Sequence, residues 1–273
     1  MKISVITVCF NEEKNIKMTL NSVLRQSSTD YEYVICDGKS TDKTIEIIES
    51  YRNLFEEKGV EFKFKSEKDG GIYFGMNNGI DMATGDYVIF MNAGDCFHGT
   101  EAIKIIVDSV SHEDALPDVI YGDATFVERG FYEIRKALPI ETMEEGMPFF
   151  HQSSLVRSDL IKDTKFDTTF KICADFNMMA KFYADGKKFF YVETIISDFY
   201  AGGISCVRQM DTAQESFRVR DKNGFRYDKE VIEKRISKGE FMVKIKMKMP
   251  GFLWALWCKK KKRRPASELG NQE

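Results

Sequence analysis

Ile3-Ser4-Val5-Ile6-Thr7-Val8-Cys9-Phe10, followed directly by Asn11-Glu12-Glu13-Lys14, is the stretch on which the fold turns. An apolar run behind Lys2 could open a secretory leader, but this one is short, stops at polar residues and shows no small-residue cleavage site. It reads as a first β-strand. Further β-rich runs at residues 32–37, 60–66 and 87–92 alternate with amphipathic stretches at 13–26, 41–57, 72–83 and 101–110. The first of these stretches carries Ile16, Leu20, Val23 and Leu24 at helical spacing behind the potential cap Asn11. The second carries Ile45, Ile48 and Leu54 behind Ser40-Thr41-Asp42. Strands alternating with helices predict an α/β chain with a mostly parallel central sheet flanked by helices. Beyond Asp95 the pattern predicts a strand at 119–122, a hairpin at 124–137, a strand at 151–157, a helix at 175–185 and a closing strand at 189–194.

The chain has 273 residues, 40 Lys+Arg and 43 Asp+Glu, a net charge of −3 that hides a split. Residues 208–273 hold 18 basic and 9 acidic residues, leaving 22 basic and 34 acidic in residues 1–207. An acidic body therefore precedes a basic tail. At 43% hydrophobic and 13% aromatic the chain can bury a sizeable core, which excludes wholesale disorder, a collagen and a small disulfide scaffold. Cys9, Cys36, Cys96, Cys173, Cys206 and Cys258 are scattered without a C-x-x-C pair and read as buried free thiols. No run reaches the roughly 18–20 apolar residues of a spanning helix, and the expected location is cytoplasmic or cytoplasm-facing.

In a parallel sheet the ligand crevice lies at the carboxyl ends of the strands. The polar residues just past those ends are Asn11, Asp37, the stretch from Glu67 to Gly71, and Asn92-Ala93-Gly94-Asp95. Asp95 ends Val88-Ile89-Phe90-Met91-Asn92-Ala93-Gly94-Asp95, an apolar strand running into a small-residue turn. Small residues let a bulky ligand reach the backbone, and a carboxylate there holds a divalent cation whose shell is completed by water and substrate phosphates. The competing reading makes Asp95 a cap on the helix that follows. Asp37 precedes the capping group Ser40-Thr41-Asp42 and is expected to point into the crevice, accepting a hydrogen bond from a base or ribose.

Five ordered blocks then carry a resemblance. They are Thr7-Val8-Cys9-Phe10-Asn11-Glu12; Asp37-Gly38-Lys39-Ser40-Thr41-Asp42-Lys43-Thr44; Asp69-Gly70-Gly71-Ile72-Tyr73 with Met76-Asn77-Asn78-Gly79-Ile80; Ala83-Thr84-Gly85-Asp86-Tyr87; and Met91-Asn92-Ala93-Gly94-Asp95. Over about the first 205 residues the sequence resembles family 2 glycosyltransferases. The resemblance implies a GT-A (Rossmann-like) fold, inverting transfer of a sugar from a nucleotide-diphosphate donor, and use of Mg²⁺ or Mn²⁺. By position it assigns Asn11, Asp37, Asp69 and Asn92 to the nucleotide and Asp95 to the metal. Asn92 and Gly94 stand where many members have Asp, and Cys36 and Lys39 also depart from the family pattern.

On the acceptor side, Ile172-Cys173-Ala174-Asp175-Phe176-Asn177 resembles the family segment whose Asp is the catalytic base at the start of a helix. The competing reading is a helix-N-terminal Asp favoured by the macrodipole. His151-Gln152-Ser153-Ser154 resembles a segment lining donor sugar or acceptor, against a structural His151, while His98 and His112 read as solvated. Gly202-Gly203-Ile204-Ser205 resembles the family's Gly-Gly-x-Ser, a loop closing over the diphosphate. Tyr73 is placed in the pocket, with a core aromatic as its alternative; Tyr200 reads as core.

The tail alternates apolar residues with Lys244, Lys246 and Lys248, then sets Phe252-Leu253-Trp254-Ala255-Leu256-Trp257 before four lysines and two arginines. Trp beside Lys and Arg suits an anionic membrane surface; a frayed terminus leaves the tryptophans unexplained, and nucleic acid has no supporting motif. The expected organisation is a GT-A domain over 1–207, with a nucleotide-binding half at 1–98 and an acceptor-binding half at 99–207, followed by a helical basic extension at 208–273. The expected function is transfer from a UDP-sugar to a saccharide or lipid-linked saccharide in surface-polysaccharide biosynthesis, at the inner face of the cell membrane. Its rivals are a sugar nucleotidyltransferase, for which residues 11–14 lack a Gly-rich phosphate loop, and a non-catalytic nucleotide-sugar-binding or membrane-scaffold protein.

Overall fold

The computed structural model describes residues 1–113, 115–202 and 209–269. It opens with β1 (Ile3–Cys9), α1 (Ile16–Leu24), β2 (Tyr31–Asp37), α2 (Thr44–Ser50), α3 (Arg52–Glu57), β3 (Glu61–Ser66), α4 (Ile72–Met82) and β4 (Tyr87–Phe90). Then come β5 (Cys96–Phe97), α5 (Ala102–Val110), β6 (Val119–Glu128), β7 (Phe131–Arg135), β8 (Ser154–Arg157), α6 (Ser158–Thr164), α7 (Ala174–Ala184) and β9 (Phe189–Tyr200). The tail holds α8 (Gln209–Lys222), α9 (Lys229–Lys248), α10 (Gly251–Lys260) and β10 (Arg264–Pro265).

The strands form one sheet in the order β10-β7-β6-β8-β4-β1-β2-β3, with β9 against β6 and β5. β1 pairs in parallel with β2 and β4, and β2 with β3, so this half is the expected parallel sheet. The other half is mixed: β8 runs antiparallel to β4 and β6, β7 antiparallel to β6, and β9 parallel to β6. Every residue of β1 and β2 is buried, as in strands covered on both faces. Their side chains alternate between two cores: Ile3, Val5 and Cys9 join α1 and α5 on one face, and Ile6 and Val8 join α4 and α7 on the other. A Cβ on Gly79 of α4 would sit 2.5 Å from Ile6, so this helix approaches β1 only because the residue is glycine.

Below the sheet, away from the strand exits, Glu32 is fully buried. Its carboxylate accepts from Ser4 Oγ at 2.6 Å, Thr84 Oγ1 at 2.6 Å and the Thr84 amide, and pairs with Lys63 at 2.7 Å and Lys2 at 3.3 Å. Burial opposes the charge, yet the Lys63 ion pair and these hydrogen bonds hold the carboxyl well below the usual range. This network ties β1, β2, β3 and the turn before β4 together.

Three expectations about elements are corrected. The stretch 41–57 breaks at Tyr51 into α2 and α3, where the Tyr51 hydroxyl donates to Asn21 Oδ1 at 2.7 Å and ties the break to α1. Asn11 has φ 54° and does not cap α1, which begins at Ile16 behind Asn15. Residues His151–Ser153 form a 3₁₀ turn, and only Ser154–Arg157 is strand. Cys9, Cys36, Cys96, Cys173 and Cys258 are buried and free, as expected; Cys206 lies outside the described residues. His112 is exposed, but His98 Nδ1 lies 2.7 Å from the buried Asp198 carboxylate and is not merely solvated.

The tail folds back on the tip of the β6–β7 hairpin. β10 adds an antiparallel edge to β7, and the buried Arg263 donates to Glu128 and Glu133 at 3.0 Å each. Trp254 and Trp257 stack with centroids 5.1 Å apart, and the Arg129, Lys246 and Arg263 cations lie over their rings. Trp254 is only 2% exposed, so it anchors the tail to the hairpin; Phe241, Met247, Phe252, Leu253 and Leu256 are among the tail's solvent-facing apolar residues. Among the described residues no helix is long and apolar enough to cross a membrane.

Candidate active site

A cleft of about 1720 Å³ opens at the carboxyl ends of the parallel strands. Asp69, Tyr73, Asn92, Asp95, His151, Gln152, Asp175 and Gly202 all line it. Gly203 lies outside the described residues. Asn11 and Asp37 do not line the cleft. Asp37 is 2% exposed and its carboxylate is consumed inside the protein: it accepts from the Ser40 amide at 2.9 Å, from Ser40 Oγ and from Ser66 Oγ at 2.6 Å. The expectation that it points into the crevice is thus corrected, because two donors of its own turn and one from the end of β3 hold the carboxylate inside the protein. Asn11 Oδ1 accepts from the Thr41 amide at 2.8 Å, so both residues brace the loop whose Gly38, Lys39 and Thr41 face the cleft.

The turn after β4 is shaped by Thr19 of α1. Its hydroxyl accepts from the Gly94 amide at 2.9 Å and donates to the Asp95 carbonyl at 2.8 Å. Gly94 adopts φ 99°, a conformation that L side chains rarely take. The element that follows Asp95 is the short strand β5, so the reading of Asp95 as a helix cap does not hold. Its side chain is 7% exposed, and Oδ2 accepts from Gln152 Nε2 at 2.9 Å. Burial pushes its pKa up to about 6, against the lowering pull of the Gln152 hydrogen bond, nearby His151 and the Tyr200 amide. A buried carboxylate in that condition favours a cation in front of it.

Beside it, Asn92 Oδ1 is buried and, among the described residues, has no hydrogen-bond partner. Asn92 Nδ2 lies 3.4 Å from His151 Nε2, and His151 Nδ1 lies 3.2 Å from Asp175 Oδ2. The other oxygen of Asp175 accepts from the Phe176 amide at 2.8 Å and faces the Tyr73 hydroxyl at 3.3 Å. Burial would raise the Asp175 pKa, but the hydrogen bond and charge of His151 and the contacts of Phe176 and Tyr73 outweigh it and hold the carboxyl below its ordinary value. Asp175 does sit in the first turn of α7, as the helix-end reading requires, yet its free face is turned to the cleft. Tyr73 spans the two halves, its hydroxyl also donating to the Ile172 carbonyl.

The 3₁₀ turn explains how neighbours serve two carboxylates. In a strand His151 and Gln152 would point to opposite faces; in the turn both line the cleft, one against Asp175 and the other against Asp95.

Residues 4–186 match the model of glycosyl transferase family 2. The chain belongs to that family. A PGL/p-HBAD biosynthesis glycosyltransferase from Mycobacterium bovis (strain BCG / Pasteur 1173P2) is 31% identical over 130 residues, 47% of this chain and 48% of that protein. The poly(ribitol-phosphate) β-N-acetylglucosaminyltransferase TarP of Staphylococcus aureus (strain N315) is 36% identical over 101 residues, 36% of this chain and 29% of that protein. The chain thus spans about half, or less, of the length of these curated relatives. Among solved structures, S. aureus TarS 1-349 in complex with UDP-GlcNAc superposes with a TM-score of 0.65 at 21% identity, covering 87% of this chain and 71% of that one. A mannosyltransferase from Pyrobaculum calidifontis in complex with GDP-Man and Mn²⁺ gives 0.60 at 15% identity, covering 78% and 61%. These likenesses show the GT-A fold.

In this family 2 chain several cleft residues escaped the sequence reading. Tyr200 ends β9 at the cleft with its hydroxyl buried and, among the described residues, unpartnered, so it is not a plain core aromatic. Phe126, Phe150 and Phe199 stack, with centroids 5.0 to 6.4 Å apart, and form an apolar wall with Leu138, Met147 and Phe149. Their signal was there in the aromatic-rich hairpin, but only the pairing of β6 with β9 brings Phe126 beside Phe199.

Proposed function

We propose that this chain is an inverting glycosyltransferase that moves a sugar from a UDP-sugar to a hydroxyl of a saccharide or lipid-linked saccharide in cell-surface glycan assembly. The observation that carries the reading is Asp175, ionised by its surroundings and held by His151 and Tyr73 in the same cleft as Asp95. As the acceptor oxygen attacks the anomeric carbon, Asp175 takes its proton; the new C–O bond forms opposite the breaking bond to the diphosphate, which leaves with the electron pair. One displacement inverts the anomeric centre.

Asp95 and Asn92 are oxygen donors suited to Mg²⁺ or Mn²⁺, and the orphaned Asn92 Oδ1 fits a ligand role. Among the described residues no cluster of three His, Cys, Asp or Glu side chains forms; a cation held by Asp95 and Asn92 would take its remaining ligands from diphosphate and water. When bound, the cation offsets the charge on the departing diphosphate. Asp69 and the loop braced by Asn11 and Asp37 receive the nucleotide. Residues 1–98 form the nucleotide half and 99–207 the acceptor half. The wall of Phe126, Phe150 and Phe199 suits an acceptor with an apolar aglycone. The exposed Phe252, Leu253 and Leu256 beside lysines 259–262 dock the chain on the anionic inner face of the membrane.

The test is transfer from UDP-sugars in the presence of Mn²⁺, following UDP release and the anomeric configuration of the product. Asp175→Asn is expected to lower kcat at least about 10²-fold, the scale of general-base catalysis, while leaving UDP binding intact. Full activity in that variant removes the base assignment; tight donor binding with no turnover on any acceptor points to the non-catalytic rival.

A further inference from the structure

The segment that delivers Asp175 to the cleft is gripped from outside the cleft. Lys171, Ile172 and Cys173 precede α7, and their three consecutive amides are donated to a single carboxylate on α8. Lys171 N–H reaches Glu215 Oε1 at 2.8 Å, and Ile172 N–H and Cys173 N–H reach Oε2 at 2.8 and 2.9 Å. From the opposite side the Tyr73 hydroxyl donates to the Ile172 carbonyl. Ile172 is therefore held at both backbone polar groups, three residues before Asp175.

α8 is itself firmly seated. Arg220, 3% exposed, donates to the carbonyls of Glu144, Glu145 and Ser216. Lys222 pairs with Asp167 at 2.6 Å, Arg218 donates to Thr169 Oγ1 at 2.6 Å, and Cys173 Sγ donates to the Thr212 carbonyl at 3.5 Å. Hydrogen bonds to an ionised acceptor are roughly twice as strong as neutral ones, so a carboxylate serving three amides is a stiff clamp. A glutamine could not replace it, because its one carbonyl oxygen serves one side of the fork while its NH₂ meets an N–H donor on the other.

We propose that Glu215 is a positioning residue for the base, setting the entry of α7 and with it the place of the Asp175 carboxylate between His151 and Tyr73, so that α8 is a working part of the catalytic unit. The inference rests on Asp175 as the base. Misplacing a reacting group by about 1 Å can cost 10²-fold in rate, whereas Glu215 itself is not among the described residues that line the cleft.

The experiment uses the full chain with Glu215→Ala, Glu215→Gln and Asp175→Asn, measuring kcat against pH, KM for the donor, and UDP affinity by calorimetry. Glu215→Ala is expected to lower kcat about 10- to 100-fold with UDP affinity within about twofold of wild type. The acidic limb of its kcat profile moves to higher pH, because Asp175 loses the partners that keep it ionised, and Glu215→Gln is intermediate. A kcat within twofold of wild type, or a loss matched by an equal loss of UDP affinity, overturns the proposal. Should Glu215→Ala fail to fold, Glu215→Gln carries the same test: an unshifted acidic limb with unchanged kcat refutes the clamp. Activity surviving in Asp175→Asn would instead fault the base assignment on which the proposal stands.

Discussion

Asp95 gives the sharpest prediction, because the proposed function makes it a liability to the metal-free protein. Burial carries its pKa from an ordinary 3.8 to about 6. The native state therefore binds a proton more tightly than the unfolded chain. Stability contributed by the neutral form is present below about pH 4, declines as the pH rises through the two values, and is fully lost above about pH 6. The difference between the two values amounts to about 3 kcal/mol of destabilisation at neutral pH. Asp95→Asn removes the charge and keeps an oxygen for Gln152 Nε2 to donate to. In EDTA at pH 7.5 the variant is expected to be more stable by up to about 3 kcal/mol, or about 6–12 °C in Tm at 2–4 °C per kcal/mol for a chain of this size. The gain should shrink as the pH is lowered toward 4.5. Added Mn²⁺ with UDP should raise Tm for wild type, by about 2.7 kcal/mol at a hundredfold excess over Kd, and leave the variant unmoved. A variant no more stable than wild type in EDTA at pH 7.5, or one that still responds to Mn²⁺, would refute the reasoning.

His151→Ala should raise the pKa of Asp175, since His151 is the chief group holding it down; the acidic limb of kcat/KM then moves to higher pH, and an unmoved limb in pH-rate measurements would show that His151 does not serve the base. Glu32→Ala removes a fully buried carboxylate from Lys63 and five other donors; breaking a buried pair costs about 3–5 kcal/mol. Because the Glu32 pKa is depressed on folding, its contribution is present above the unfolded value and lost as the pH falls through the folded one, so urea titrations of wild type and variant should converge in acid. In the tail, replacing Phe252, Leu253 and Leu256 with Glu should abolish co-sedimentation with anionic liposomes while leaving Tm unchanged, whereas Trp254→Ala should lower Tm by detaching the tail from the hairpin. Equal behaviour of the two variants in both assays would count against the assigned division.

How far the site was legible depends on whether its signal was local. Asn92-Ala93-Gly94-Asp95 could be read because an apolar strand ending in small residues is a local pattern, and Gly94 needs its positive φ within that turn. His151 and Gln152 were located but given the wrong geometry: the pairing of β8 with β4 and β6 begins only at Ser154, and residues 151–153 before it form the 3₁₀ turn that faces both to the cleft. Asp37 was misdirected for a related reason, since Ser66 comes from the next strand in the sheet and only the register of β2 against β3 brings its hydroxyl to that carboxylate.

By itself, the sequence determined the α/β class, the parallel run of β1, β2, β3 and β4, the strand exits where polar residues gather, and the family landmarks. All of these follow from hydrophobic period and short-range turn chemistry, which neighbouring residues specify. Tertiary structure alone decided the pairing of Asp175 with His151, of Asp95 with Gln152, and the three amides closed on Glu215, separated by 24, 57 and 42–44 residues along the chain. It also buried Trp254 against the hairpin with the half-buried Trp257 stacked on it, because an aromatic ring flanked by cations satisfies a hairpin tip as readily as a membrane surface, and the hairpin's Glu128 and Glu133 supply the counter-charge that draws Arg263 home.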